Sequence, residues 1–473
     1  MDLQTALADF LAAHPGYDAA AIAGLRSREF ARLEDLGHVY LDYTGGGLYG
    51  ASQVRLHREL LDSGVFGNPH SHNPTSLAAT ALVERARESV LRFFNADPDE
   101  YDVVFTPNAS GALKLVGEAY PFGRGDRFLV SYDNHNSVNG IREFALRAGA
   151  EVTYVPVRNP DLRLDADLIG AGLRSLAPGQ HGLFAYPAQS NFSGVQHPLC
   201  WIETARGLGW DVLLDCAAFA PTNRLDLGAV HPDFVPLSFY KMFGYPTGAG
   251  ALIARREALA KLCRPWFAGG TITLASVAAG THMLAPGHAG FEDGTVDYLG
   301  LPAVTIGIKH LDAVGIDAVH ERVSALAGWL LDQMSAWRHS NGSPMVRIFG
   351  PSVMDRRGST IAFYLLDPEG DVIDVYRFES LAGQQRISVR TGCFCNPGDG
   401  EVAHGINAED MSRCFRTPEV PVTLVDCQRL IEDSTGKVPN TVRISLGIAS
   451  DFADVWRFAE FAQGFRDVRA SEV

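Results

Sequence analysis

A lysine within an apolar segment is the first residue of this sequence that could do chemistry. Lys241 lies between Tyr240 and Met242 in residues 236–248, with apolar or small side chains before it and several glycines after it. Burying a charged amine is costly, so we expect the pKa of Lys241 to be lowered. A partly neutral amine can condense with an aldehyde, although a single lysine is more often a surface residue that extends to water.

A carboxylate near the end of the preceding strand favours a chemical role for Lys241 over a surface position. Asp215 follows the apolar run 212–214, which has the composition of a buried strand. Ligands of open parallel sheets bind beyond the carboxyl ends of the strands. There a carboxylate can keep a pyridine nitrogen protonated while a lysine holds an aldehyde. The pair therefore predicts a site for pyridoxal 5'-phosphate (PLP).

The loop at residues 106–111 could hold the phosphate of such a cofactor. It joins a predicted strand to a helix that we expect to begin near Ala112. Backbone amides and hydroxyls at a helix N-terminus bind phosphate, and Ala109 and Ser110 are the expected contacts. A simple helix cap has the same geometry and is the alternative.

Two further loops carry side chains suited to the ring of the cofactor. His135 follows a predicted strand, and a flat imidazole can stack on a pyridine ring, although a lone loop histidine is usually solvated. Gln189 and Asn191 follow another strand, and either amide could hydrogen-bond the phenolate oxygen.

A cysteine pair lies near the end of the chain. Cys393 and Cys395 follow a predicted strand and precede residues 396–400, whose Asn-Pro-Gly-Asp-Gly sequence favours a flexible turn. One interpretation is half of a metal site that Cys414 and Cys427 would close, although the zinc spacing is lacking. The other is a mobile nucleophile, because a loop thiolate can attack a sulfur atom and carry it as a persulfide. The remaining cysteines are expected to be ordinary core residues: Cys200, Cys216 and Cys263.

The elements that must position these residues form an alternating pattern. Short apolar strands separated by helical stretches indicate a mostly parallel, seven-stranded α/β sheet. The predicted strands are 103–105, 128–130, 152–157, 183–185, 212–214, 234–239 and 249–253. A helix over 76–94 is predicted with Leu77, Leu82 and Leu91 inward, and Gly45 to Gly47 are predicted to form a turn. His70 and His72 lack a neighbouring carboxylate or cysteine, so a loop role is favoured over a metal site.

From residue 307 the pattern changes to a smaller α+β domain. Its predicted elements are a helix over 323–337, strands over 346–349, 360–365, 386–389 and 442–446, and a last helix over 454–465. A helical arm over 3–13 is expected to pack on the body. The predicted division is therefore an arm that completes the small domain (1–37), a large PLP-binding domain (38–306) and a small domain with the cysteine loop (307–473).

Composition limits the partners. The chain has 473 residues, of which 46% are hydrophobic, and a formal net charge of −15, which argues against nucleic acid and anionic membranes. We read no signal peptide at the N-terminus and no apolar run of about 18 residues. Seven cysteines do not suggest a secreted disulfide framework, so a cytoplasmic location is predicted.

Taken together, the motifs resemble a known family. Asp215 and Lys241 lie 26 residues apart, as in the class V aminotransferase group of PLP enzymes. Within it the chain is similar to the cysteine desulfurases, and most of all to the N-terminal domain of the molybdenum cofactor sulfurases. The supporting segments occur in family order: Tyr40-Leu-Asp-Tyr, Asn68-Pro-His-Ser, Asp133-Asn-His-Asn-Ser-Val, Tyr186-Pro-Ala-Gln-Ser-Asn-Phe-Ser-Gly, Phe291-Glu-Asp-Gly-Thr and Arg390-Thr-Gly-Cys-Phe-Cys.

The resemblance implies a PLP-dependent transferase of fold type I and a role for each matching residue. His135 would stack on the cofactor, while Ser238 and Tyr240 would bind its phosphate. Thr295 would reach the phosphate of a neighbouring subunit, which implies a homodimer with shared sites. Arg443 would bind the substrate carboxylate.

It also implies a reaction. L-cysteine would be converted to L-alanine, with the sulfur held as a persulfide on Cys395, which matches the last position of the family pattern Arg-Thr-Gly-x-x-Cys. If the chain is extended there, Cys393 would face the same side and could resolve the persulfide as a disulfide. Ala218 and Tyr240 depart from the glutamine and histidine of ordinary desulfurases, and both departures match the sulfurase group.

Other functions stay open. A PLP-dependent lyase, epimerase or aminotransferase of the same group would act on another amino acid or sulfur compound, and a non-catalytic scaffold would only bind sulfur-transfer partners. The sulfur acceptor is not readable from the sequence: a protein, a small molecule and a biosynthetic intermediate are all compatible with it.

Overall fold

The computed structural model describes residues 2–415 and 423–473. Its α-helices are α1 Leu3–Ala13, α2 Ala19–Glu29, α3 Arg32–Asp35, α4 Ala51–Asp62, α5 Pro74–Phe93, α6 Ala109–Ala119, α7 Asn136–Asn139, α8 Ile141–Ala148, α9 Ala166–Leu173, α10 Cys200–Gly207, α11 Phe239–Phe243, α12 Arg256–Leu259, α13 Pro302–Val314, α14 Ile316–Ala336, α15 Val375–Gln384, α16 Pro397–His404, α17 Ala408–Cys414, α18 Leu424–Thr435 and α19 Phe452–Gln463. Short 3-10 turns lie at Gly287–Gly290 and Ala470–Glu472.

The strands fall into one large sheet, one small sheet and short two-stranded pairs. They are β1 Val39–Tyr40, β2 Tyr101–Thr106, β3 Arg127–Ser131, β4 Glu151–Val155, β5 Val157–Arg158, β6 Arg163–Leu164, β7 Gly182–Pro187, β8 Asp211–Asp215, β9 Phe234–Ser238, β10 Gly250–Arg255, β11 Ile272–Ser276, β12 Thr281–Leu284, β13 Val346–Phe349, β14 Thr360–Leu365, β15 Ile387–Ser388, β16 Arg390–Gly392 and β17 Thr441–Ser445.

The large sheet has seven strands in the order β2-β10-β9-β8-β7-β3-β4. Its strands run parallel except for β10, which is antiparallel to both of its neighbours. Every residue of β7, β8 and β9 is buried, which is why these strands read as continuous apolar runs. The predicted α/β fold with a mostly parallel seven-stranded sheet is confirmed.

One predicted strand of this sheet is too long. The strand expected over 152–157 ends at Val155, and Val157–Arg158 pairs with β6 in a separate hairpin. The residue between them, Pro156, has no N–H to donate, so it interrupts the pairing.

The small domain contains the four-stranded antiparallel sheet β13-β14-β17-β16, with α14, α15 and α19 nearby. The strand predicted over 386–389 is wrong in detail. Ile387–Ser388 pairs in parallel with Val39–Tyr40, and the edge strand of the sheet is Arg390–Gly392 instead. Arg386 has a φ of 58°, so the backbone turns just before this segment.

The N-terminal arm packs on the last helix. Phe10 of α1 lies with its ring centroid 4.6 Å from that of Phe452. Arg26 of α2 donates a hydrogen bond to Asp454 Oδ2 of α19 at 2.7 Å. Both ends of the sequence therefore contribute to one packed region.

One leucine of helix α5 points to solvent and not inward as predicted. Leu82 and Leu91 are buried as predicted, but Leu77 is 50% exposed. The buried face of the helix begins instead at Ser76 and continues through Ala79 and Val83, a spacing of three to four residues. Leu77 lies about 100° around the helix from Ser76 and faces solvent.

Within the described residues, no helix combines the length and the apolar character that crossing a bilayer requires.

Candidate active site

A cavity of about 160 Å³ lies at the carboxyl ends of the parallel strands. It is lined by eight of the residues predicted for the site: Ala109, Ser110, His135, Asn191, Asp215, Ser238, Tyr240 and Lys241. Each comes from the end of a strand, from the loop after it, or from the first turn of the helix that follows. This position is the one at which open α/β sheets bind ligands.

Lys241 occupies the short helix α11, directly after β9. Burial lowers the pKa of its amine, and the Asp215 carboxylate acts in the opposite direction. The predicted glycine turn packs against the backbone here: the Gly47 N–H donates to the Tyr240 carbonyl at 2.9 Å. A Cβ on Gly47 would lie 2.9 Å from the Lys241 carbonyl oxygen, so this approach requires glycine.

Asp215 is the last residue of β8, and only 7% of it is exposed. Its Oδ1 accepts a hydrogen bond from the Ala217 N–H at 2.9 Å, which fixes the carboxylate at the edge of the cavity. A fixed anion here can pair with a cationic ring nitrogen and leave the lysine amine free for a carbonyl carbon.

His135 precedes α7 and presents a neutral ring to the cavity. Its Nδ1 accepts from the Ser137 N–H at 3.1 Å, so the ring proton belongs on Nε2. Burial lowers the pKa of His135, while Asp215 opposes this and Lys241 adds to it. An uncharged imidazole held by its own helix cap is suited to stacking on an aromatic ring.

Helix α6 begins at Ala109, three residues before the predicted start. Asn108 caps it, because its Oδ1 accepts from the Gly111 N–H at 3.0 Å. The Ala109 N–H donates to Ser238 Oγ at 2.9 Å, and Ser110 Oγ lies 2.6 Å from Ser137 Oγ. Amide and hydroxyl groups therefore gather at the positive end of the helix dipole, as phosphate binding requires.

Arg443 lies beyond the cavity, on β17, and is 2% exposed. Burial lowers the pKa of its guanidinium to about 10, while Asp42 opposes this. It donates to the Asn191 carbonyl at 2.9 Å and to Asp42 at 3.0 Å. Its Nε is buried with no hydrogen-bond partner in the described part of the chain.

Asp42 and Arg390 are site residues that the sequence reasoning missed as such. Arg390 donates through Nε and NH2 to both oxygens of the Asp42 carboxylate, at distances of 2.6 to 3.0 Å. Both residues occur in segments that carry the family resemblance, but nothing in the sequence shows that they meet.

The cysteine loop turns sharply instead of extending. Phe394 and Cys395 both have a φ of 56°, in the left-handed region, so the condition for placing Cys393 and Cys395 on the same side fails. Cys395 is exposed. Burial lowers the pKa of Lys241, and the electrostatic effect of Cys395 opposes this. Cys393 instead adds to the effect of burial in raising the pKa of Tyr376. The condition under which both thiols would share one face is therefore not met.

The segment after Cys395 is also different from the prediction. Residues 396–400 were expected to be flexible, but Asn396 is fully buried and Pro397–His404 forms α16. Proline at the first helical position and the Asn396 cap favour this helix start.

The sequence pattern of the aminotransferase class-V family matches residues 39–458. The chain belongs to this family. Two relatives are the molybdenum cofactor sulfurases of Bos taurus and Homo sapiens, 36% and 35% identical over 469 residues. The matches cover 94% of this chain but 52% and 51% of those proteins, so the chain spans about half of their length. The predicted resemblance is confirmed.

Solved structures confirm the fold of this class-V protein. A cysteine desulfurase from Thermococcus onnurineus NA1 superposes with a TM-score of 0.75 at 22% identity, covering 94% of this chain and 97% of that one. The cysteine desulfurase CsdA from Escherichia coli superposes with a TM-score of 0.72 at 20% identity, covering 94% and 98%.

Thr295 of the class-V protein lies apart from the Lys241 cavity. It lines a second cavity of about 440 Å³, and its Oγ1 accepts from Asn68 Nδ2 at 3.3 Å. Within one copy of the chain, Thr295 is therefore not among the residues that surround Lys241.

Ala218 stands where ordinary desulfurases have a glutamine, so Gln189 or Asn191 is the expected donor to the phenolate oxygen. Both amides already make a hydrogen bond within the protein. Gln189 Nε2 donates to the Ala218 carbonyl at 3.0 Å, and Asn191 Nδ2 donates to the Phe394 carbonyl at 2.7 Å. Each amide nitrogen carries a second hydrogen, so both keep one donor for a ligand.

The remaining cysteines differ from the predictions in two ways. Cys414 and Cys427 form a disulfide with each other, which removes them from the metal site considered as an alternative. Cys216 is buried as expected, but Cys200 and Cys263 are exposed, because Cys200 begins a surface helix and Cys263 lies in a surface segment without regular structure. In residues 2–415 and 423–473, no group of three or more His, Cys, Asp or Glu side chains is placed to hold a metal ion.

Proposed function

We propose that this class-V protein is a PLP-dependent cysteine desulfurase. It takes the sulfur of L-cysteine, releases L-alanine and carries the sulfur as a persulfide on Cys395 for an acceptor. The observation that carries this proposal is the meeting of the Lys241 amine and the Asp215 carboxylate at one cavity, with the Cys395 loop hydrogen-bonded to a wall of that cavity through Asn191.

The residues around the cavity fit the cofactor. The start of α6 at Ala109 and Ser110, with Ser238 and Tyr240 beside it, would hold the phosphate. His135 would stack on the ring, Asp215 would pair with the ring nitrogen, and Asn191 would donate to the phenolate oxygen. When bound through Lys241, PLP supplies an electron sink for the α-carbon of an amino acid.

The chain's own groups account for the other requirements of the reaction. Arg443 would hold the substrate carboxylate, and its buried, unpartnered Nε gives it a donor to spare. The lowered pKa of Lys241 suits its amine to accept the proton of the α-carbon and to return it. The Cys395 thiolate then attacks the substrate sulfur: an S–S bond forms, the C–S bond breaks, and its electron pair stays with the β-carbon, which takes up a proton.

The proposal extends to assembly and location. Thr295, which lies apart from the cavity of its own chain, would contact the cofactor phosphate in a second copy, so we propose a homodimer with shared sites. A cytoplasmic location is part of the same proposal. The sulfur acceptor is a protein, a small molecule or a biosynthetic intermediate.

The test is product analysis. Purified protein loaded with PLP is incubated with L-cysteine, and alanine, pyruvate, sulfide and protein-bound persulfide are measured. We expect alanine and persulfide in equal amounts in the first turnover, and neither product with Lys241→Ala. Pyruvate with free sulfide would show a lyase instead, and turnover of other amino acids without alanine formation would show another class-V activity.

A further inference from the structure

The backbone on both sides of the Cys395 side chain is tied to the large domain. The Asn191 side chain donates to the Phe394 carbonyl at 2.7 Å, and the Asn136 N–H donates to the Cys395 carbonyl, also at 2.7 Å. These donors belong to the loops that bring Asn191 and His135 to the cavity. The loop that carries the thiol is therefore fixed to the same framework as the cavity wall.

Asn396 is the side chain that joins these ties. It is fully buried, and its Nδ2 donates to the Asp133 carbonyl at 2.9 Å and lies 3.1 Å from Asn191 Oδ1. Its Oδ1 accepts from the Asp399 N–H at 3.1 Å and so caps α16. One amide thus connects the helix after the cysteine to the loop before His135.

The start of α16 fits closely into the large domain below it. A Cβ on Gly398 would lie 1.9 Å from the Tyr132 carbonyl oxygen, so no larger residue fits there without movement. Asp399 is fully buried, and its Oδ2 accepts from Ser190 Oγ at 2.5 Å. Burial raises the pKa of Asp399 well above its ordinary value, and the nearby Asp133 adds to this. Asp399 therefore packs into the floor instead of lying at the surface.

We propose that Asn396 is a positioning residue that clamps the Cys395 loop to the wall of the Lys241 cavity. The inference rests on the proposed desulfurase function. In that reaction the thiolate must approach the substrate sulfur along the S–C bond, and a fixed loop raises the fraction of time spent in that geometry. Because the loop is tied at both carbonyls and capped into a helix, Cys395 receives its sulfur without the long excursion expected of a flexible segment.

The test compares Asn396→Ser with Asn407→Ser. Serine keeps the helix-capping function at both positions, since Asn407 also caps a helix through the Glu409 and Asp410 N–H groups. Only Asn396 donates to the large domain, and Asn407 is exposed on α17. The pair therefore separates loss of the clamp from loss of a cap.

Two measurements are made on each variant. Hydrogen exchange of the peptide covering residues 391–400, recorded without cysteine, reports whether the loop is held. Single-turnover kinetics report the rate of persulfide formation on Cys395 and, from the visible spectrum, the binding of cysteine. We expect Asn396→Ser to exchange faster and to form persulfide about tenfold to a hundredfold more slowly, as for misplaced catalytic groups. Cysteine binding should change less than the persulfide rate, because Arg443 makes its hydrogen bonds to Asp42 and to the Asn191 backbone carbonyl and none to Asn396.

Each result has a consequence. Unchanged exchange in Asn396→Ser would overturn the clamp, and faster exchange with an unchanged persulfide rate would overturn its positioning role. Equal losses in Asn407→Ser would reduce the effect to helix capping and also overturn it. If the wild-type protein forms no persulfide on Cys395, the proposed function fails, while the exchange data still decide whether Asn396 holds the loop.

Discussion

Arg443 NH2 donates to the Asp42 carboxylate at 3.0 Å, across 401 residues of sequence. Arg390 donates to the same carboxylate, so one aspartate holds two guanidinium groups beside the cavity. Arg443 is almost fully buried, whereas about half of the Arg390 side chain is exposed. Asp42 therefore neutralises part of the charge and orients the arginine proposed to bind the substrate.

Asp42→Asn is expected to weaken substrate binding and stability together. Removing one partner of a buried ion pair costs about 3–5 kcal/mol, because the other charge is left uncompensated. Because one of the two arginines, Arg390, is half-exposed, we expect a loss at the lower end, seen as a reduced midpoint of thermal unfolding. KM for cysteine should rise about tenfold as Arg443 loses its fixed orientation. An unchanged KM would show that Asp42 does not position Arg443.

Lys241→Ala should abolish the covalent attachment of PLP. The visible absorbance of the bound cofactor should shift to that of the free aldehyde, and borohydride should no longer fix it to the protein. The control is Lys309→Ala, because Lys309 is exposed on α13. Mass spectrometry of the reduced wild-type protein should place the cofactor on Lys241, and attachment to another lysine would contradict the assignment.

Asp215→Asn should leave the fold intact and remove most of the activity. A neutral amide cannot hold the positive charge of the ring nitrogen, and the loss of a fixed charge at the reacting group costs about 3 kcal/mol, or roughly a hundredfold in rate. Initial rates of alanine formation measure this, with exposed Asp161→Asn as the control. A variant that keeps more than about a tenth of the wild-type rate would exclude Asp215 from this role.

The large sheet and the end-of-strand positions of its polar residues were predictable from the sequence. Buried parallel strands are continuous apolar runs, so the positions of Asp215 and Lys241 just beyond two of them follow from local pattern. The start of α6 was predicted less well. Asn108 caps this helix, so the helix begins at Ala109, three residues before the predicted start.

Long-range contacts were not predictable in this way. Asp42 meets Arg390 and Arg443 only because the segment after β1 bridges to Ser445 of β17, and no local pattern reports such a meeting. The cysteine loop shows the same limit. Asn396, Pro397 and Gly398 favour a turn in isolation, but burial of Asn396 and the tight contact at Gly398 make the segment a fixed helix start.

The N-terminal arm should make stability depend on pH through Asp454. Burial raises the pKa of Asp454 from 3.8 to about 7, with Asp451 adding to the effect and Arg26 opposing it. Because this carboxyl is protonated in the folded protein at pH values where the unfolded chain has lost the proton, its contribution to stability is largest below about pH 4 and is lost as pH rises towards 7.

Asp454→Asn cannot ionise, so it should remove that part of the pH dependence. Thermal unfolding between pH 5 and pH 8 should show a smaller decline in the variant than in the wild-type protein, with exposed Asp35→Asn as the control. A steeper decline in Asp454→Asn would mean that the charged Arg26 pair, and not the neutral carboxyl, stabilises the arm.

The last prediction concerns which thiol carries the sulfur. Cys395 is exposed, and it opposes the lowering of the Lys241 pKa that burial causes. Cys393 is half-buried, and it adds to burial in raising the pKa of Tyr376. Because Phe394 and Cys395 are in the left-handed region, the extended chain that would place both thiols on one side is not formed. We therefore expect Cys393→Ser to keep persulfide formation within about threefold of wild type, because the Cys395 thiol is unchanged.

Cys395→Ser should lose persulfide formation altogether, because a hydroxyl is not a nucleophile at neutral pH without a base to activate it. Non-reducing mass spectrometry after a single turnover gives the position of the added sulfur. Alanine formation by Cys395→Ser at the full rate, without added thiol, would place the nucleophile elsewhere. A mass corresponding to a Cys393–Cys395 disulfide after turnover would show that the loop leaves the turn seen here, and would restore Cys393 as the resolving thiol.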